Sequence, residues 1–178
     1  MRIEPPPGLK PLAYSALNGA AKAAPLQHSS PVRLAFRWSW WTLLPLAFAC
    51  LALAVPYMLT HALLPLGLAL QRGFALVCHQ RPERCFWIFG APVAVCARCL
   101  GIYFGAALGL LMRSTRRTAL AGLAFATALN LVEAATEFVG MYTGSLLLRF
   151  GLGLLLGMAA ALLIRASWEE RMTSELQP

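Results

Sequence analysis

The chain has 178 residues, 59% of them hydrophobic and only 12% charged, with a formal net charge of +8. A soluble domain carries about 25% charged residues, so this composition excludes an ordinary globular domain and points to the lipid bilayer as the chain's main partner. The basic excess does not indicate nucleic acid, because the Lys and Arg residues are dispersed and flank the apolar runs, as orientation signals do.

Residues 1–37 are rich in Pro, Ala and Ser and read as a disordered N-terminal tail, with no early apolar stretch of the kind a secretory signal needs. Residues 38–60 predict a first membrane crossing. Arg37 and Arg72 bracket a run without charge, and Trp38, Trp40 and Trp41 suit the headgroup layer at its start. Pro45 and Pro56 each remove a helical hydrogen bond from this segment. Residues 61–77 are apolar but short, and they contain Pro65, Gly67, Gln71, Arg72 and Gly73. They predict a short interfacial or re-entrant helix. A loop at 78–92 follows, then a second crossing at 93–112, a basic loop with Arg113, Arg116 and Arg117, and a third crossing at 118–138. A turn around Gly140 and Gly144 leads to a fourth at 145–164, and residues 165–178 read as a polar C-terminal tail.

The fold class is therefore all-α: a polytopic membrane helix bundle of about four transmembrane helices plus a short interfacial helix, with the membrane domain at 38–164. Ten of the 15 Lys and Arg fall on the side of the two termini and the 113–117 loop, which places both termini in the cytoplasm of a multi-pass cell-membrane protein. Gly101, Gly105 and Gly109 recur every four residues on the second crossing, and Gly153 and Gly157 do so on the fourth. Small residues at this spacing let helices approach closely, either inside the bundle or between two copies as a homo-oligomer.

Four of the five cysteines lie within 22 residues, at Cys78, Cys85, Cys96 and Cys99. Cys50 stands alone in an apolar run and reads as a small packing residue. Cys96 and Cys99 form a C-x-x-C at the predicted start of a helix, where free backbone N–H groups, the helix dipole and Arg98 favour a thiolate. Together with Cys78 and His79 they make a Cys3His set suited to tetrahedral zinc or another soft metal. On an oxidising face the same sulfurs also suit disulfides, Cys96 with Cys99 and Cys78 with Cys85. A C-x-x-C on a membrane helix with a second thiol pair shares the architecture of membrane thiol-disulfide oxidoreductases such as the vitamin K epoxide reductase class, without a sequence motif in common. A third possibility is a structural subunit of a larger membrane complex, the cluster serving only as a staple.

Charge inside a bilayer is costly unless it is paired and turned inward. Glu133 and Glu137 share one face of the third crossing at i, i+4 spacing, Arg149 lies early on the fourth, and Arg98 lies at the start of the second. With Arg84 in the loop they are the candidate supporting polar cluster, at the depth of Cys96 and Cys99. No nucleotide-binding loop, HExxH pattern or Ser/His/Asp arrangement is present, so hydrolysis is not expected.

The segments Cys78-His79-Gln80, Pro82-Glu83-Arg84, Pro92-Val93 and Cys96-Ala97-Arg98-Cys99-Leu100-Gly101-Ile102-Tyr103-Phe104-Gly105, with Phe86 and Gly90 between them, are specific when taken together. They resemble domain-of-unknown-function family 2085, small prokaryotic membrane proteins with the pattern CHQ…PERSF…G…PVCARCTGIYxG. The resemblance extends more loosely through the fourth crossing. It implies that Cys78, His79, Cys96 and Cys99 matter more than Cys85, where the pattern has Ser. It matches Arg149 with a family Arg and Glu133 with a family acidic residue, and it has Gln where this chain has Glu137.

Overall fold

A computed structural model describes residues 31–61, 63–141 and 144–175. All contacts given below lie in the unit Leu34–Pro178. The tail expected over 1–37 falls mainly outside the described residues.

Five helices are described: α1 (Pro31–Thr60), α2 (Leu64–Ala75), α3 (Ala97–Leu111), α4 (Arg116–Phe138) and α5 (Leu146–Glu175). Segments of α1, α4 and α5, namely Trp40–Thr60, Arg116–Phe138 and Leu146–Met172, are long and apolar enough to cross a membrane. The 15 residues of α3 span about 22 Å, less than the hydrocarbon thickness of about 30 Å.

Three boundaries differ from the sequence expectation, the first being the start of α1 at Pro31, inside the tail expected over 1–37. The second apolar run does not turn helical at residue 93. Pro92 closes a small antiparallel hairpin, β1 (Trp87–Ile88) with β2 (Ala91–Pro92), and Val93, Ala94 and Val95 continue as a buried segment outside any helix. The hairpin turns through Phe89 and Gly90, whose φ of 54° and 78° are the pair a tight two-residue turn requires. At the other end, α5 runs well into the expected tail. Arg165 donates to Glu169 one turn on (3.0 Å) and to the Leu110 carbonyl (2.6 Å), near the end of α3, so the polar residues continue the helix as its packed end.

α3 and α5 run parallel in close contact. Gly101 lies against Phe150 and Leu154, Gly105 against Leu154, and Gly109 against Met158 and Ala161, while Gly153 and Gly157 lie against the backbone of Arg98 and Ile102. A methyl group on any of these five would collide with the partner helix backbone. The helix face bearing Gly101, Gly105 and Gly109 is thus filled by α5 of the same chain. α4 packs antiparallel on α5: Asn130, buried, donates to the Leu152 carbonyl at 3.1 Å, and Gly122 faces Ala159.

The hydrophobic core joins Ala49, Ala52 and Val55 of α1 to Phe74 of α2, to Cys78, to Val93–Val95 and to Leu100 of α3. Pro56 has no N–H to give the carbonyl four residues back. That carbonyl, of Ala52, accepts from Ala94 N–H at 3.4 Å instead. The helical defect of α1 therefore becomes the anchor of the segment leading to Cys96.

Candidate metal centre

Cys78 follows α2 directly, its N–H bonded to the Phe74 carbonyl at 3.0 Å. Two residues later Gln80 takes a left-handed φ of 47°, which turns the chain after Cys78. The Gln80 amide donates to the carbonyls of Gln71 and Ala94, both at 2.7 Å. One side chain thus ties the end of α2 to the strand-like segment before α3. Cys96 caps α3 with extended backbone angles, and its N–H donates to the Cys78 sulfur at 3.2 Å. Cys99 sits three residues on, in the first turn of α3.

The result is a group of three thiols, Cys78, Cys96 and Cys99, whose sulfurs all lie within 4.8 Å of one another. Hydrogen bonds from the Cys96 and Cys99 thiols hold the Cys78 thiol well below its ordinary range. A tetrahedral ion with metal–sulfur bonds of about 2.3 Å separates its sulfurs by about 3.8 Å, so the group needs only a small contraction to fit zinc or another soft metal. N–H groups aimed at a ligand sulfur are the outer support that thiolate sites require.

His79, expected as the fourth ligand, is exposed and lies outside the sulfur group. It instead lines a cavity of about 650 Å³ beside it. All five cysteines are free thiols. Cys85 is buried away from the trio, its thiol donating to the Arg81 carbonyl at 3.2 Å, and burial pushes it up to about 11. Cys50 is exposed on α1.

The five charged residues expected to support the site form one alternating chain. Arg84 pairs with Glu137 (2.5 Å), Glu137 with Arg149 (2.7 Å), Arg149 with Glu133 (3.2 Å), and Glu133 with Arg98. Glu133 and Arg149 are buried. Gly144 lies over them: an added Cβ would stand 2.7 Å from Arg149 Nη2 and 2.8 Å from Glu133 Oε1. Arg98 connects the charge chain to the C-x-x-C itself, and its Nε is buried without a protein partner among the described residues. The cavity is lined by the three thiols of the cluster and by His79, Arg81, Arg84, Arg98 and Glu137, with Val77 and Phe138 at its apolar side.

Sequence reasoning gave no role to Gln80, Asn130 or Arg165. Gln80 and Arg165 bond backbone groups distant in sequence, which no local pattern reveals. Asn130 was findable as a polar residue one turn before Glu133 in an otherwise apolar run.

This geometry rests on residues of a single family signature: the family model matches residues 78–163, from the first thiol through most of α5. The chain belongs to the predicted membrane protein family DUF2085. Among its relatives, an uncharacterized protein of Methanothermobacter thermautotrophicus is 33% identical over 98 residues, covering 52% of this chain and 87% of the relative. The uncharacterized protein MJ1492 of Methanocaldococcus jannaschii is 47% identical over 47 residues, covering 26% of this chain, and the match spans only 30% of that relative's length. No solved structure matches the chain.

Proposed function

We propose that this DUF2085 protein is a multi-pass cell-membrane protein that carries a soft-metal centre on its extracytoplasmic face, with Cys78, Cys96 and Cys99 as ligands. The observation that carries this reading is the approach of the three sulfurs to within 4.8 Å, with the Cys96 backbone N–H directed at the Cys78 sulfur. In this reading α3, lengthened by the buried segment before it, crosses as the second of four spans, and both termini are cytoplasmic, in keeping with the distribution of Lys and Arg. Zinc fits a thiolate-rich tetrahedral site, and three thiolates also suit other soft ions. Oligomerisation through Gly101, Gly105 and Gly109 is no part of the proposal, because α5 occupies that face.

The test is the metal content of protein purified under reducing conditions. Wild type retains about one equivalent and Cys99→Ser loses most of it, because removing a ligand from such a site lowers affinity by orders of magnitude. Reduced wild type that retains no metal removes the reading.

One observation favours a second reading, thiol–disulfide exchange: a C-x-x-C at a helix start in contact with a third thiol. Thiol trapping in intact cells separates the two. Cys96 and Cys99 that cycle between dithiol and disulfide support exchange, whereas thiols that stay metal-protected support the first reading.

A further inference from the structure

We infer that the metal centre is an open one, whose fourth coordination position faces the cavity and takes a small carboxylate held jointly by the ion and by Arg81, Arg84 and Arg98. This rests on the metal reading above and adds the class of ligand to it. Structural thiolate sites enclose their ion with four protein ligands, whereas sites that act on a bound molecule supply three and leave one position to it. Among the described residues the sulfur group has three members, and no His, Asp or Glu donor joins them. All three cysteines line one cavity of about 650 Å³, so their shared side is a space of small-molecule size rather than packed protein.

The wall of that cavity selects the ligand. It presents Arg81, Arg84 and Arg98 against one carboxylate, Glu137. A divalent ion bound by three thiolates carries a single net negative charge, so the three guanidinium groups still leave the wall positive. Arg98 lines the cavity and reaches Glu133 through Nη2. Arg81 is exposed at the cavity and takes no part in the charge chain from Arg84 to Arg98. Guanidinium forks match the two oxygens of a carboxylate, whereas a thiolate offers them only one acceptor.

The experiment loads the full-length reduced protein, in detergent, with Co²⁺ and follows its visible absorption during titration with acetate, or with neutral acetamide as a control. The inference expects a saturable spectral change with acetate and none with acetamide. It expects Arg81→Gln, which leaves the buried charge chain intact, to weaken the acetate response about tenfold, and His79→Ala to leave the starting Co²⁺ spectrum unchanged. A bound Co²⁺ that ignores acetate, or whose spectrum collapses in His79→Ala, overturns the open site while leaving the metal reading in place. Failure of Co²⁺ to bind the thiols overturns both.

Discussion

Glu133 is the residue on which the most charge depends. It is buried, and its two oxygens serve Arg98 and Arg149 from two different helices. Removing one partner from such a pair leaves the other buried charges uncompensated, at a cost of about 3–5 kcal/mol. Glu133→Gln is therefore expected to lower stability by about that amount in denaturant titrations of the detergent-solubilised protein. Arg116→Gln, which breaks only an exposed 3.9 Å pair with Glu170, is expected to change it by less than about 1 kcal/mol. Equal effects of the two changes would contradict the charge chain. These carboxylates and arginines were legible from sequence because charge is so rare in the apolar runs that each instance stands out. The three sulfurs were legible from their spacing. His79 was not, since adjacency in the chain does not bring two side chains to one point: Cys78 is buried where His79 is exposed.

At the scale of the helices, the contact of α3 with α5 is set by absent side chains. Gly105→Ala directs a methyl group at the Leu154 carbonyl, and relieving that clash separates the two helices or strains them by about 1–3 kcal/mol. Gly151 on α5 meets nothing within 4 Å, so Gly151→Ala is expected to be neutral or to stabilise by up to about 1 kcal/mol through helix propensity. Thermal unfolding followed by circular dichroism distinguishes them. A benign Gly105→Ala would mean the helices do not approach as described. The charge-free runs made α1, α4 and α5 readable in the sequence. The start of α3 was not readable, because Val93, Ala94 and Val95 are as apolar as the helix they precede. The hairpin closed by Pro92, the bond from Ala94 to the carbonyl freed by Pro56 and the Gln80 amide on the Ala94 carbonyl hold them out of it. The end of α5 was missed for the converse reason: its polar composition hid a helix held by Arg165.

Across the whole molecule, the polarity is inverted relative to a soluble protein. Leu131, Val132, Phe125 and Leu147 are exposed, while Asn130, Glu133 and Arg149 are buried. That is stable where the surroundings are hydrocarbon and internal groups satisfy one another. The proposed orientation makes a direct prediction. A membrane-impermeant maleimide on intact cells labels Glu83→Cys, in the turn Pro82–Arg84, without permeabilisation, whereas Ser114→Cys, between α3 and α4, is labelled only after it. The opposite pattern would invert the topology and put the thiols in the cytoplasm.

The central claim is that three sulfurs share one ion, and X-ray absorption at the metal edge of the reduced, metal-loaded protein addresses it most directly. Three sulfur neighbours at about 2.3 Å, falling to two in Cys78→Ser, is the predicted result. A first shell of oxygen and nitrogen alone, or one unchanged by loss of Cys78, would contradict it.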